Sequence, residues 1–297
     1  MNRRLSAIMI ELTNICNAKC PLCPTGSNSL ERNKGFISIE LFAKIMKEVE
    51  ELNHKFFIYS FNYGEPFMHP KWFNLFKLIP SNVYHKTSTN GLVFYKENDI
   101  DLLLNSNLNE LIISIDGSTK EKNSIYRKGV DLDKIYDGLK YFFKNEKNVK
   151  IRPKIKIQTV LLPYNINDLE NIKNKFQGLY DEIYYKFPNF NMTEFTETSE
   201  INKSSQQKIT DEVPNCCSTF SSSFVINYNG ECNPCCHDYQ GEVIIGNANN
   251  QSITEIFNSE SSIEFYRKIK ENRKQNKICS VCPIDRRIIS NKNVINY

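Results

Sequence analysis

Ten cysteines are the most reactive side chains of this 297-residue chain, and they fall into two groups. Cys16, Cys20 and Cys23 sit near the start in CNAKCPLC; seven more lie between Cys216 and Cys282, and none lies between the groups. In a small secreted scaffold such residues would read as disulfides, whereas in a reducing compartment they read as metal ligands or reactive thiols. The first group has the spacing C-x3-C-x2-C, three thiols with no fourth Cys or His nearby. A structural zinc closes with four ligands, so that count suits it poorly. Three thiolates can instead hold three corners of a [4Fe–4S] cube and leave one iron open to an outside ligand.

The elements around this loop alternate between short β-rich runs and amphipathic helical stretches. The pattern predicts strands over 7–12, 56–61, 83–88, 110–116, 154–161 and 182–187. Helices are predicted over 39–52 with Ser38 as N-cap, over 70–79 with Pro70 in the first turn, near 98–104, over 132–143, and from about 168. Strand–helix alternation calls for a parallel sheet covered by helices, and six units are too few for a closed eight-fold barrel. Residues 189–215 are polar and read as a linker. Beyond it, 220–236 reads as a β-hairpin turning at Asn229-Gly230, followed by helices over 253–257 and 263–272 and by CSVC. This second region has too few large apolar side chains for much of a core, so a metal cluster would be a sensible staple.

At CNAKCPLC the chain resembles the radical S-adenosylmethionine (SAM) superfamily, and the resemblance continues at the intervals that family shows. Tyr63, Gly64, Glu65 and Pro66 (YGEP) follow the second strand and match the family's GEP turn, whose backbone meets the SAM amino group. Asn90, in STNG at the end of the third strand, lies on the cofactor side. Ser114 and Asp116, in SIDG at the end of the fourth, stand where the family places ribose-binding groups. Arg127, in YRKG, corresponds to an arginine that pairs with the SAM carboxylate, a task suited to guanidinium. Parallel α/β folds collect their ligands at such strand ends. There are departures: Leu22 replaces an aromatic residue, and Asn62-Tyr63 replaces the more frequent glycine pair before Gly64. The resemblance implies a [4Fe–4S] cluster on Cys16, Cys20 and Cys23 with SAM chelated at its open iron. Reductive cleavage of SAM would then yield a 5′-deoxyadenosyl radical that abstracts hydrogen from an unactivated C–H bond.

In the second group, Cys217, Cys235, Cys279 and Cys282 resemble the ligands of the single auxiliary [4Fe–4S] cluster in a twitch domain, a shortened SPASM domain. Residues 246–260 also resemble that family's GN…EI(W/F)NS segment. A four-cysteine zinc site is the rival that spacing permits. A full SPASM domain needs cysteines after the closing CxxC, yet the positions six and ten beyond Cys282 are Ile288 and Lys292. One auxiliary cluster is therefore implied, unlike the two of anaerobic sulfatase-maturing enzymes. The fold class expected is α/β, a partial (β/α)6 radical SAM barrel over 1–205 followed by a small α+β twitch domain over 206–297. Cys216 and Cys232 are left as free thiols or alternative ligands. Cys236 directly follows an expected ligand, and its side chain should point away from that of Cys235. It is a candidate catalytic hydrogen-atom donor to a substrate radical, with filling of a small buried space as the alternative. His69, His85 and His237 read as ordinary polar residues.

Hydrophobic residues at 40% and charged residues at 24% describe a globular chain, and exclude disorder and collagen-like structure. The net charge of +4 is spread out and demands no nucleic-acid partner. The start, MNRRLSAIMIELTN, has neither a secretory apolar region nor a membrane anchor, so a cytoplasmic location is expected. The functions implied are oxidation of a small-molecule alcohol, with an auxiliary cluster taking the electron, or modification of a ribosomally made short peptide. A flavodoxin or ferredoxin would serve as reductant. A simple two-cluster electron carrier has no need of YGEP, SIDG and Arg127.

Overall fold

In the computed structural model six strands pair in chain order, all parallel. They are β1 (Ala7–Ile10), β2 (Phe57–Tyr59), β3 (Tyr84–Thr89), β4 (Glu110–Ser114), β5 (Lys154–Val160) and β6 (Glu182–Lys186). The structure describes residues 3–52, 54–186, 217 and 220–280. Crossing helices are α1 (Ile39–Glu51), α2 (Trp72–Lys77), α3 (Glu97–Leu104), α4 (Lys120–Tyr126), α5 (Leu132–Asn145) and α6 (Leu169–Lys175). Among the described residues β6 pairs only with β5 and not with β1, so the barrel is partial.

Side chains alternate across each strand, which gives the sheet two different faces. Ile8, Ile10, Ile58, Leu111, Ile113, Ile155 and Ile157 are fully buried in one cluster with Phe42, Phe76, Leu139 and Phe142 from the helices. Each such side chain contributes roughly 1.5–3 kcal/mol on burial. On the opposite face Lys86 and Lys156 reach Glu110 at 2.8 and 3.1 Å, and Lys156 also reaches Glu182 at 2.8 Å. Burial alone would push the Glu110 carboxyl up, but hydrogen bonds from these lysines outweigh it and hold it below the usual glutamate range. Toward the strand C-terminal ends this face carries Ser88, Ser114, Gln158 and Tyr184.

Local signals explain most boundaries. The Ser38 hydroxyl accepts the Leu41 N–H and starts α1 where expected. α2 begins at Trp72 rather than Pro70, because Lys71 is not yet helical. α4 was not anticipated: it is short and polar, and a Thr119 cap on the Lys122 N–H starts it. It carries Asn123, whose side-chain oxygen accepts the Asp116 N–H at 2.9 Å and so shapes the end of β4.

The expected hairpin forms from β7 (Ser223–Ile226) and β8 (Glu231–Asn233), with Gly230 left-handed at the turn, and β9 (Gly246–Asn247) adds to it. β7 pairs in parallel with β1, Ala7 opposite Ser223 and Ile10 opposite Ile226, so the nine strands among the described residues make one sheet. α7 (Ile253–Phe257), α8 (Glu260–Asn272) and α9 (Lys277–Ser280) follow. The sparse apolar residues of this region do not build a core of their own. Phe220, Phe224, Ile226, Ile245, Ile253, Ile256 and Phe257 instead join the cluster beneath the parallel strands. The predicted linker at 189–215, like Cys216, Cys282, Ile288 and Lys292, lies outside the described residues.

Candidate functional site

The loop after β1 carries the first three cysteines. Cys20 is buried, while Cys16 and Cys23 are partly buried. The Cys16 sulfur accepts the Ala18 N–H at 3.4 Å and the Asn90 amide at 3.6 Å; the Cys20 sulfur lies 3.7 Å from Arg127 Nη1. Burial, followed by the charge of Glu65, pushes the Cys16 thiol up to about 12. Burial also raises Cys20, although Arg127 pulls against it. Thiols so protonated become ligands only when a metal displaces their protons, so loading here is coupled to proton release. Among the described residues no three Cys, His, Asp or Glu side chains converge on a single ion. Three thiols on one loop, two of them met by N–H donors, suit three corners of a [4Fe–4S] cluster.

Tyr63, Gly64, Glu65 and Pro66 turn directly beneath this loop. Gly64 has φ +103°, and a Cβ there would sit 2.2 Å from the Thr13 carbonyl oxygen. The Glu65 N–H donates to the Ile15 carbonyl at 2.8 Å, which ties the turn to the cysteine loop. Glu65 is itself buried: Oε1 accepts from the Thr89 hydroxyl at 2.8 Å and the Phe67 N–H at 3.2 Å, and Oε2 accepts the Asn90 N–H at 2.7 Å. Burial raises its carboxyl to about 7 against the pull of these donors. Pro66 opens a single 3-10 turn. Asn90 donates to Asn17 Oδ1 at 2.8 Å as well as to Cys16, so the end of β3 and the cysteine loop are one unit.

Ser114 ends β4, buried, in register with Gln158. Asp116 is fully buried, with Oδ1 accepting the Val160 N–H at 2.6 Å and Oδ2 accepting Arg127 Nε. One carboxylate oxygen thus ties Asp116 to the end of β5 and the other holds Arg127. Burial works against the charge of that guanidinium, but Asp116, then Cys20, hold it firmly protonated.

The second cysteine group comes up to the first. Cys217 accepts the Phe220 N–H at 3.3 Å, Cys235 accepts the His237 N–H at 3.4 Å, and Cys279 is buried on α9. The Tyr63 hydroxyl donates to the Cys236 carbonyl at 2.7 Å. Arg32 Nε donates to the Tyr239 carbonyl at 2.8 Å, and Gln240 bonds to Ser29 and Glu31. Arg32 is anchored in turn on Glu11, fully buried just beyond β1. Burial, then the charges of Cys236, Cys23 and Cys235, raise the Tyr63 phenol well above its ordinary value. The sequence marked Tyr63 as a departure from glycine but gave no sign that it spans the groups. Asn17, Glu11 and Arg32 carried no readable signal either, since their partners are distant in the chain.

The neighbouring Cys236 side chain is the first cause, ahead of burial, of the raised Cys235 thiol. Neighbouring side chains point apart only in a strand, and β8 ends at Asn233; Cys235 and Cys236 lie in the turn beyond. Cys232 is wholly buried beneath β8, its S–H toward the Gly230 carbonyl, and packs in the core. His85 is buried against Ser60 and pushed down to about 3 by burial, and His69 bonds the Ile37 carbonyl; both are structural.

Residues 10–176, more than half of the chain, match the Radical SAM superfamily. The chain belongs to the radical SAM superfamily. Residues 216–283 match SPASM, an iron-sulfur cluster-binding domain. This radical SAM enzyme therefore uses SAM with a [4Fe–4S] cluster and binds further iron–sulfur in its SPASM segment. It is 21% identical over 289 residues, 95% of its length and 94% of the relative's, to the S-adenosyl-L-methionine-dependent 2-deoxy-scyllo-inosamine dehydrogenase of Niallia circulans. Its fold is similar to that of BtrN in complex with AdoMet and 2-DOIA, with TM-score 0.60 and 18% identity over 100% of this chain and 98% of that one. It is also similar to SuiB of Streptococcus suis bound to precursor peptide SuiA, with TM-score 0.68 and 13% identity over 94% of this chain and 71% of that one. No helix among the described residues is long and apolar enough to cross a membrane.

Proposed function

We propose that this radical SAM enzyme oxidises a carbinol carbon of a small polyhydroxylated molecule, such as a sugar or an aminocyclitol. The observation that carries the reading is the match, nearly end to end, with a relative named as a dehydrogenase of 2-deoxy-scyllo-inosamine. Cys16, Cys20 and Cys23 hold the SAM-binding cluster; Cys217, Cys235 and Cys279, joined by Cys282, hold one auxiliary cluster. When bound, SAM and its cluster supply a 5′-deoxyadenosyl radical able to take hydrogen from an unactivated C–H bond. The backbone of Tyr63, Gly64, Glu65 and Pro66 receives the SAM amino group, and the buried Glu65 keeps that turn rigid. Arg127, held through Nε by Asp116 and with Nη1 toward the Cys20 sulfur, would pair with the SAM carboxylate, while Ser114 and Asn90 line the same strand ends. Four thiolates leave no open iron, so the auxiliary site suits electron transfer rather than substrate chelation. The barrel unit comprises 1–205 and the twitch unit 206–297. A flavodoxin or ferredoxin in the cytoplasm supplies the reducing electron, and neither nucleic acid nor membrane takes part.

The test is anaerobic turnover with SAM, dithionite and a panel of sugar and cyclitol alcohols that includes 2-deoxy-scyllo-inosamine. The expected result is 5′-deoxyadenosine together with a ketone lighter than its alcohol by two hydrogens. SAM cleavage without any such ketone, together with turnover of a short peptide encoded beside the gene, would replace this reading with peptide modification, which the likeness to SuiB favours. Changing Cys279 to Ala should leave SAM cleavage within about twofold of wild type yet cut ketone formation by at least about tenfold, with soluble yield checked because a lost ligand also weakens the fold. Cys236→Ser separates the two chemistries in deuterated water. An oxidised product should form at the wild-type rate, whereas a peptide radical quenched by the Cys236 thiol would lose solvent deuterium incorporation.

A further inference from the structure

Four stretches of chain meet at Arg32. Its Nη1 and Nη2 donate to the two carboxylate oxygens of Glu11 at 2.9 and 2.7 Å, and its Nε donates to the Tyr239 carbonyl at 2.8 Å. Asn62, just beyond β2, adds a bond to Glu11 Oε2 at 3.3 Å. The Glu11 side chain has no exposure and that of Arg32 keeps 11%, so the pair is largely withdrawn from water. Glu11 is fixed in turn, because its N–H donates to the Ile226 carbonyl at the end of β7 at 2.9 Å. One planar guanidinium thus serves a carboxylate on one edge and a carbonyl of the second region on the other, a fork that a lysine ammonium does not present.

Tyr239 belongs to a turn that is braced within itself. The Asp238 N–H donates to the Cys235 carbonyl at 3.1 Å, and Asp238 Oδ1 accepts the Glu242 N–H at 2.9 Å. Asp238 Oδ2 accepts the Val243 N–H at 2.8 Å and Asn233 Nδ2 at 2.9 Å. Residues 233–243 therefore form one unit, and Cys235 and Cys236 travel with it. Across from it lie residues 29–33, shortly after Cys23. Gln240 Nε2 donates to the Ser29 carbonyl at 2.8 Å, and Gln240 Oε1 accepts the Glu31 N–H at 3.0 Å. A Cβ at Gly241 would lie 3.5 Å from Arg32 Cδ, so the turn also packs on the arginine stem. The second region as a whole is held by the β1–β7 pairing and by the shared core. The contacts of Arg32 add the orientation of this one turn.

We infer that Arg32, anchored on Glu11, is a positioning residue that sets how the Cys235 turn seats against the first cysteine loop, and through it the passage of an electron to the auxiliary site. This rests on the proposed function. There, the carbinol radical left by hydrogen abstraction gives one electron to the auxiliary cluster and its hydroxyl proton to water, and becomes the ketone. A turn that shifts moves one auxiliary ligand away from the space where that radical forms. Arg32 acts through the turn and needs no contact with substrate.

The test compares Arg32→Lys and the double variant Glu11→Gln/Arg32→Met with wild type, all reconstituted anaerobically and loaded with SAM. The double variant removes both charges, so no unpaired carboxylate is left buried, and Gln still offers an oxygen to Asn62. Iron content and SAM cleavage should stay within about twofold of wild type in both variants. Hydrogen exchange over 236–243 should quicken by about tenfold or more, while that over 223–226 is unchanged. Magnetic relaxation between the two reduced clusters should change with it, and ketone formed per 5′-deoxyadenosine should fall at least about fivefold. Wild-type exchange and relaxation in either variant overturn the assignment, as does a shifted turn with an unchanged ketone ratio. Loss of iron or of SAM cleavage overturns it too, since the pair would then be a folding element. Failure of the dehydrogenase reading shows separately, as no ketone from wild type, while exchange and relaxation still report the seating of the turn.

Discussion

Protein carrying Cys16→Ala, Cys20→Ala and Cys23→Ala together should lose all SAM cleavage and about half its iron, falling from about eight atoms to about four on a two-cluster count. The three thiols share one loop, and no other Cys or His among the described residues stands ready to replace them. Loss of 5′-deoxyadenosine formation should exceed about a thousandfold, because without the cluster there is no electron to break the sulfonium. Iron analysis and deoxyadenosine quantification under anaerobic reduction make the measurement. Persistent deoxyadenosine at wild-type levels would remove these cysteines from the proposed site. The auxiliary site should keep its iron in the same protein, since its ligands come from Cys217 onward. A parallel loss of all iron would instead show that the two groups load as one unit, a coupling that the Tyr63–Cys236 and Arg32–Tyr239 hydrogen bonds make physically reasonable.

Gly64→Ala should be the most damaging single change that removes no polar group. Its φ of +103° is strained for any L side chain, and the added Cβ would lie 2.2 Å from the Thr13 carbonyl and under 3 Å from Asn14 backbone atoms. Backbone cannot give way as a flexible side chain can, so the turn must move by more than an ångström or the loop must shift. We expect a cost of about 3 kcal/mol or more and a loss of SAM affinity of at least about a hundredfold. Gly178 is the internal control. It has φ +79°, but nothing lies within 4 Å of its Cβ position, so Gly178→Ala should cost only about 1–2 kcal/mol and leave SAM binding alone. Chemical denaturation paired with SAM titration reports both terms. Equal behaviour of the two variants would mean that the close approach at Gly64 has no part in shaping the cofactor turn.

The contrast between Gly64 and Gly178 also marks where reading a sequence stops. Local chemistry carried far: the Ser38 cap, the alternation that makes six parallel strands, the Asn229-Gly230 turn and the two cysteine groups were all legible, because each depends on residues adjacent in the chain. YGEP, STNG, SIDG and Arg127 were legible as a series because strand ends place them together. Their division of labour was not. Asp116 stands where ribose-binding groups are expected, yet both its oxygens hold Val160 and Arg127, a role set by the neighbouring strand and by α4. Cys236 is the leading cause of the raised Cys235 thiol, and both lie in the turn beyond β8, which no spacing rule conveys. The second region looked too poor in apolar residues for a core. Only the parallel pairing of β7 with β1 showed that it borrows the first region's core, and the same pairing brings Cys236 to Tyr63 and Tyr239 to Arg32. Types and spacings of residues determined which chemistry this chain can carry. Long-range contacts, whose partners lie some 170 to 210 residues apart and are selected by packing rather than by local preference, decided how the two cysteine groups come together.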